Sequence, residues 1–278
     1  MSAHAGTEAG ASSARLRWVL SDSLVLARRN VAHVRQVPEK LIDATVQPLM
    51  FVLLFAYVFG GAIHVDGGGY REYLLGGIFV QTLTFGIIGP ATSVATDLTE
   101  GIVDRFRSLP MSRSAFLYGH VISDLAAALL ALTIMTISGL IVGWRIHSDV
   151  AEALAGFGLL TLFAFTMLWV GMLLGLSART PDAVTGVAFI VIFPLTFIAN
   201  TFVPIGGLPE GLRQVAEYNP ISAVAAATRT LFGNPTALPP DPAWPLRHPV
   251  VSSLAWCALT LLVVVPLAVR RYRVRTSG

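Results

Sequence analysis

The sequence has few charged residues and a single cysteine. Lys and Arg number 19 and Asp and Glu 16, so charged residues make up 13% of the 278 residues, whereas soluble proteins carry about 25%. One cysteine, Cys257, excludes a fold stabilised by disulfides. Hydrophobic residues make up 54% of the chain, and the mean hydropathy is +0.70. A surface exposed to water needs more ionised groups than this, so the composition indicates an integral membrane protein.

Six apolar stretches are long enough to cross a bilayer, which takes about 20 residues in a helix. These stretches are continuous rather than alternating in polarity, which argues against membrane-spanning strands. The predicted fold is an all-α membrane protein with one six-helix transmembrane domain over residues 38–278. The predicted spans are residues 44–63, 73–95, 116–142, 153–176, 183–203 and 250–269.

The basic residues predict that both termini lie on the cytoplasmic side. Fourteen of the 19 basic residues precede span 1, follow span 6, or lie in the loops after spans 2 and 4. Basic residues accumulate on the cytoplasmic side of membrane proteins, and an even number of spans agrees with that orientation. The net charge of +3 therefore reflects orientation in a membrane and does not indicate a nucleic-acid-binding protein.

Short segments outside the spans predict further helices. Residues 1–14 are small and polar and are predicted to be a disordered tail. Residues 15–37 form a basic amphipathic pattern, typical of a helix at the cytoplasmic membrane interface; a helix packed on the protein itself is the alternative. Gly206–Glu217 and Ile221–Phe232, between spans 5 and 6, are too short to span, which favours re-entrant or outer-interface helices.

The loop between spans 2 and 3 predicts a short amphipathic helix from Asp97 to Pro110. Acidic residues lie in its first turn and basic residues in its last, the arrangement that the helix dipole favours. Its apolar face could lie on the bilayer or enter a groove on a soluble partner, and the pattern alone leaves both open. The apolar face consists of Leu98, Ile102, Phe106 and Leu109.

The sequence contains no motif that would supply energy or catalysis. Gly67–Gly69 lacks the lysine and hydroxyl residue of a phosphate-binding loop. The histidines are not paired at metal-ligand spacing, and no charged residue lies in the middle of a span, as an ion-coupled transporter would require. A lipid-modifying membrane enzyme would need a cluster of His, Asp or Glu at the membrane face, and a scaffold or sensor is the other alternative. If the chain transports, a partner must supply the driving force.

Uncharged polar residues occur inside the predicted spans. They could line a substrate path or join neighbouring helices through hydrogen bonds, and the second interpretation is preferred for each of them. The candidate path residues are Gln47, Gln81, Thr84, Asn200 and Thr201.

Two signatures make the chain resemble the membrane subunits of the ABC type-2 exporter family, particularly the daunorubicin-resistance-type drug permeases of actinobacteria. The first signature is the segment Asp97–Pro110, followed by Gly119 and Asp124. The second follows span 5 and comprises Phe202-Val203-Pro204, Leu208-Pro209, Asn219-Pro220 and Arg229.

The resemblance implies a permease subunit without catalytic activity in the cytoplasmic membrane of a bacterium. Its partners are implied to be two copies of an ABC ATPase, which binds ATP and Mg²⁺, and a second copy of itself. No cofactor is expected in this chain. The implied substrate is a hydrophobic drug or a lipid, with a lipid-linked or polysaccharide precursor as the alternative.

The resemblance also assigns roles to particular residues. The loop after span 5 is implied to form an outer lid that contains Pro204, Pro209, Asn219 and Pro220. The coupling helix that contacts the ATPase is implied to comprise Asp97, Glu100, Gly101, Asp104, Arg105, Phe106, Arg107, Leu109 and Pro110.

Overall fold

A computed structural model describes residues 49–59, 65, 68–100, 115–178 and 180–277. Within these ranges all regular secondary structure is helical. A short 3₁₀ turn covers Ile205–Gly207, and a π-helical stretch covers Leu54–Phe59. The helices are α1 (Leu49–Val58), α2 (Tyr70–Phe85), α3 (Ile88–Thr99), α4 (Ala115–Val142), α5 (Val150–Ser177), α6 (Pro181–Phe197), α7 (Glu210–Glu217), α8 (Pro220–Leu231), α9 (Trp244–Arg247) and α10 (Pro249–Ser277).

Among the described residues, four apolar elements are long enough to cross a membrane, which confirms the prediction of an all-α membrane protein. α1 and α6 are apolar but shorter, so the count of six spans stays a prediction. The predicted tail at 1–14 and the interface helix at 15–37 lie outside the described residues. The four long elements are Tyr70–Thr99, Gly119–Val142, Val150–Ser177 and Pro249–Arg275.

The ends of the helices are named here by the predicted orientation. The end that contains Tyr70, Val142 and Phe197 is called the outer end, and the end that contains Thr99 and Ser177 is called the inner end. α5 is the central helix, in contact with α3, α4, α8 and α10. α3 crosses α5 so closely that a Cβ at Gly175 would lie 2.4 Å from the carbonyl oxygen of Ala91. Small residues permit this approach between membrane helices.

The predicted second span, residues 73–95, is two helices rather than one. α2 ends at Phe85 and α3 begins at Ile88, with a turn at Gly86 and Ile87. Pro90 explains the break, because a proline has no N–H to donate to the carbonyl four residues earlier and its ring collides with that carbonyl. The carbonyl concerned belongs to Gly86. We refer to α2 and α3 together, Tyr70–Thr99, as the α2–α3 rod.

α6 ends at Phe197, short of the predicted end of span 5 at residue 203. Pro194 lies inside its last turns and removes one backbone donor. The chain then turns through Ala199 and Thr201, and the following carbonyl groups bond to other helices rather than forward along α6. The helix does not continue to residue 203, because Pro194 removes a backbone donor and the carbonyls that follow Phe197 bond outside α6.

Two helices follow in the loop where the sequence predicted Gly206–Glu217 and Ile221–Phe232. The first, α7, occupies Glu210–Glu217, and the second, α8, occupies Pro220–Leu231. The side chain of Asn219 caps α8, since its Oδ1 accepts a hydrogen bond of 2.9 Å from the backbone N–H of Ile221. Every residue of α8 from Ile221 to Arg229 is buried.

Candidate functional site

A polar cluster lies at the outer end. Its base consists of the backbone carbonyl groups of Asn200, Thr201 and Phe202, which follow the end of α6. Tyr73 donates its hydroxyl to the carbonyl of Asn200 at 2.7 Å, and Tyr70 donates to the carbonyl of Phe202 at 3.1 Å. Both tyrosines lie on one face of the first turns of α2. These two carbonyls lie in the turns that follow α6, where no helix supplies a partner, and α2 provides their donors.

Arg229 of α8 supplies the remaining donors of the cluster. Its Nη2 donates to the carbonyls of Asn200 and Thr201 at 2.8 and 3.0 Å, and its Nε donates to the carbonyl of Tyr73 at 2.7 Å. The side chain is 0% exposed. Its guanidinium carbon lies 3.6 Å from the centre of the Tyr73 ring, within the range of a cation–π contact. Arg229 therefore joins α2, the end of α6 and α8 in one contact.

The charge of Arg229 is stabilised by dipoles rather than by a carboxylate. No ion pair of Arg229 is present among the described residues, although the group is wholly buried. Three carbonyl oxygens and the face of an aromatic ring point at it, and two of the carbonyls follow the C-terminus of α6, where the helix dipole is negative. A buried charge is tolerated only when it is compensated in this way.

Close backbone approach at Gly77 makes the cluster possible. A Cβ on Gly77 would lie 1.8 Å from the carbonyl oxygen of Thr201, which is far inside contact distance. Any larger residue would push the end of α6 away from α2. Gly77 thus sets the distance at which Tyr73 and Arg229 can reach the Asn200 and Thr201 carbonyls.

The predicted path residues occupy two different places. Asn200 and Thr201 belong to the polar cluster, where they act through their backbone carbonyls. The side-chain amide of Asn200 is buried, and neither of its polar atoms has a hydrogen-bond partner among the described residues. Gln81 and Thr84 lie further along α2 and are buried. Gln47 lies outside the described residues. A groove of about 250 Å³ between α4 and α5 contains none of these residues.

The predicted lid residues surround α7 and the start of α8. Asn219 connects this loop to α6, because its Nδ2 donates to the carbonyl of Leu195 at 2.7 Å. Pro220 occupies the first turn of α8, and Pro209 immediately precedes α7. Pro204 precedes the 3₁₀ turn. The loop is therefore fastened to the same end of α6 that Arg229 contacts.

At the inner end, the structure describes two of the predicted coupling residues. Asp97 lies in the last turns of α3, and its Oδ2 is 3.2 Å from Nε2 of His120 in α4. Glu100 is the C-terminal cap of α3 and is exposed. The prediction that these acidic residues lie in the first turn of a helix starting at Asp97 is therefore wrong, because α3 continues through Asp97 and ends at Thr99. The other predicted coupling residues, Gly101, Asp104, Arg105, Phe106, Arg107, Leu109 and Pro110, lie outside the described part of the chain.

The α2–α3 rod connects the two regions. Its first turns carry Tyr70 and Tyr73 of the polar cluster, and its last turns carry Asp97. At a rise of 1.5 Å per residue, the 30 residues of the rod reach at most about 45 Å, the length of an unbroken straight helix. Two consecutive helices, joined by the turn at Gly86 and Ile87, therefore run from the polar cluster to the predicted coupling segment.

Sequence reasoning did not select Tyr70, Tyr73, His120 or Arg229 as site residues, although Arg229 belongs to the second signature. A signal for Arg229 was available, since it is the only charged residue in an alanine-rich apolar helix. The partners of Arg229 are backbone carbonyls from distant parts of the chain, and a sequence pattern does not reveal those. Within the described residues, no group of three His, Cys, Asp or Glu side chains could hold a metal ion.

Comparisons with known proteins give one family. The sequence model of the ABC-2 type transporter family matches residues 22–232. A daunorubicin resistance ABC transporter permease protein of Streptomyces coeruleorubidus is 32% identical over 91% of this chain and 87% of its own length. A doxorubicin resistance ABC transporter permease protein of Mycobacterium tuberculosis is 25% identical over 87% of this chain and 84% of its own. A putative transport permease of Pyropia yezoensis is 25% identical over 79% of this chain and 78% of its own.

Proposed function

The chain belongs to the ABC-2 type transporter family, and on that premise we propose that it is the membrane permease subunit of an ATP-driven exporter. Its substrate is a hydrophobic or amphipathic compound, a drug or a lipid, which moves outwards from the cytoplasm or the inner leaflet. A separate ABC ATPase supplies the energy and binds ATP and Mg²⁺. The chain itself is a non-catalytic, multi-pass membrane subunit.

The α2–α3 rod is the observation that carries this proposal. A partner that binds at the segment following Asp97 and Glu100 acts on the inner end of a pair of consecutive helices, Tyr70–Phe85 and Ile88–Thr99. The other end of that pair bonds to α6 and α8 through Tyr73 and Arg229. Coupling between distant sites requires packed elements that move together, and the rod supplies one.

The polar cluster extends this coupling to the outer loop. Arg229 ties α8 to the end of α6, and Asn219 ties the start of the same loop helix to Leu195. When the rod moves, α6 and α8 follow, because separating them would leave charged and neutral hydrogen bonds unmade in a buried place. These contacts support the proposal that the loop with Pro204, Pro209, Asn219 and Pro220 acts as an outer lid.

Membership of the family supports a complex of two permease chains and two ATPase chains. α6 exposes apolar side chains, among them Phe189, Ile190 and Phe193, which are 48%, 75% and 49% exposed. Such a face suits contact with lipid or with a second copy in the membrane. Four arginines follow the apolar part of α10, which supports a cytoplasmic C-terminus in the bacterial cell membrane.

Drug export from cells tests the proposal. The chain, its ATPase, or both are expressed in a sensitive bacterium, and intracellular doxorubicin is followed by fluorescence. Export that requires both chains and cellular ATP supports the proposal. Equal drug retention in all strains would indicate that the substrate is a lipid or a lipid-linked precursor rather than this drug. Export of such lipids is followed in the same strains by labelling of the outer leaflet.

A further inference from the structure

Asp97 and His120 join the two helices that flank the predicted coupling segment. Nε2 of His120 lies 3.2 Å from Oδ2 of Asp97, and the side chains are 16% and 20% exposed. Asp97 is close to the end of α3, and His120 is close to the start of α4. With a proton on Nε2, the imidazole donates to the carboxylate whether the ring is neutral or charged, so the contact is attractive in both forms.

The pair lies beside an apolar cluster at the inner end. Val94 of α3 and Leu117 and Val121 of α4 are buried there, at 0%, 1% and 1% exposure. They pack with α5 and α10 through Trp169, Met172, Leu176, Ala268 and Tyr272. Apolar packing of this kind holds the helices together but sets their rotation and sliding less strictly than a directed hydrogen bond. The Asp97–His120 contact supplies the directed bond.

α3 is also fixed against the central helix. The backbone of Ala91 approaches Gly175 so closely that no side chain fits between them. A displacement of α3 is therefore passed to α5 directly. His120 connects α4 with α3 and α5 as well, because its bond to Asp97 links α4 to the last turns of α3.

We propose that His120 is a positioning residue for the coupling step: it holds Asp97 so that the end of α3 and the start of α4 receive the movement of the ATPase as one unit. This rests on the proposed function. It also assigns Asp97 a role inside the chain, as the partner of His120, rather than a direct contact with the ATPase. His120 and Asp97 then act through each other.

A second His–carboxylate pair provides a matched control. At the outer end, Nε2 of His147 lies 3.5 Å from Oε1 of Glu72, and the side chains are 50% and 26% exposed. Glu72 lies in the first turn of α2, and His147 follows α4. The two pairs thus connect opposite ends of the α2–α3 rod with the region of α4, but only the inner pair flanks the predicted coupling segment.

The first test uses the full-length chain alone in lipid nanodiscs. Amide hydrogen exchange is measured at the end of α3, from Thr96 to Glu100, for the unaltered chain, His120→Leu, His120→Gln and His147→Leu. Loss of a bond to a carboxylate should speed exchange in His120→Leu by about threefold or more. His120→Gln retains a donor and should stay close to the unaltered chain, as should His147→Leu. Equal exchange in all four proteins would overturn the proposal.

The second test measures substrate exported per ATP hydrolysed with the ATPase present. His120→Leu and Asp97→Leu should each lower this ratio, while the amount of assembled complex stays the same. The double variant should be no worse than either single variant, because residues that act through each other have non-additive effects. Additive losses, or an unchanged ratio in His120→Leu, would contradict the proposal.

The two tests separate the proposal from the proposed function. Faster exchange in His120→Leu together with no ATP-dependent export by the unaltered complex would support the positioning role of His120 and refute the exporter function. Normal export by the unaltered complex together with unchanged exchange in His120→Leu would support the exporter function and refute the positioning role of His120.

Discussion

The carbonyl oxygen of Asn200 accepts hydrogen bonds from two helices at once, from the hydroxyl of Tyr73 at 2.7 Å and from Nη2 of Arg229 at 2.8 Å. The buried turn that follows α6 thereby binds α2 and α8 together. The guanidinium group of Arg229 stacks on the Tyr73 ring, which excludes water from these bonds. α2, α6 and α8 cannot separate at this point unless several buried polar groups lose their partners together.

Replacing Arg229 should destabilise the protein more than replacing any exposed arginine. Arg229→Leu leaves three carbonyls with one donor fewer, and each unsatisfied buried polar group costs about 1–3 kcal/mol. Arg229→Lys keeps the charge but cannot reach all three carbonyls, so an intermediate loss is expected. Thermal unfolding in detergent, followed by size-exclusion chromatography, measures the order of stability of these variants.

Arg247→Leu is the control, because Arg247 is half exposed and pairs with Asp241 at the surface. Tyr73→Phe should cause a smaller loss than Arg229→Leu, since it removes one hydroxyl donor and keeps the ring. Equal melting temperatures for Arg229→Leu and Arg247→Leu would contradict the account of the cluster.

Gly77→Ala should disrupt the outer end although it adds one methyl group. The new Cβ would meet the backbone of Thr201, whose carbonyl cannot move without breaking its bond to Arg229. Gly158→Ala in α5 is the matched control, because nothing lies within 4 Å of a Cβ at that position. Yield and melting temperature should fall for Gly77→Ala and stay unchanged for Gly158→Ala; the same result for both would show that α2 and the Thr201 backbone are not in contact.

Changes in the predicted coupling segment should separate ATP turnover from export. Glu100→Gln and Arg105→Gln are expected to insert in the membrane and to bind the ATPase, yet to export less substrate per ATP hydrolysed. Glu152→Gln, at the first turn of α5 at the outer end, is the control. Unchanged export in both Glu100→Gln and Arg105→Gln would remove the basis for the coupling assignment.

The predicted orientation can be tested by cysteine labelling in a chain whose Cys257 has been replaced. Cys257 is buried, so its loss should not expose new surface. A membrane-impermeant maleimide should label a cysteine at position 240 in whole cells, and one at position 104 only after the cells are opened. The opposite pattern would reverse the topology and place the coupling segment outside.

The apolar runs of the sequence were sufficient to predict the long helices, because helices that cross a membrane need a length that hydropathy reveals. The two helices between α6 and α9 also followed from local signals, above all Asn219 and Pro220 at the start of α8. The break at Gly86 and the early end of α6 did not, although Pro90 and Pro194 mark both places. Whether a proline bends or ends a helix depends on which distant groups bind the freed carbonyls.

The residues of the candidate sites also divide into those that the local sequence predicts and those that depend on contacts between distant parts of the chain. That Asp97 and Glu100 adjoin the predicted coupling segment could be inferred from the resemblance, although the structure places both at the end of α3 rather than in the first turn of a new helix. The pairing of Asp97 with His120 could not, because it depends on how α3 and α4 cross. Arg229 was predicted to lie in a short helix outside the spans, and its burial follows only from the positions of Tyr73, Asn200 and Thr201.

ATP-driven transport by purified components tests the central claim most directly. The chain and its ATPase are reconstituted into liposomes, and doxorubicin uptake is measured in vesicles whose ATPase faces the bath. The account predicts uptake only when both proteins and ATP·Mg²⁺ are present, with no uptake by the chain alone. Uptake that is the same without the ATPase, or ATP hydrolysis by the complex with no transport of any drug or lipid tested, would contradict it.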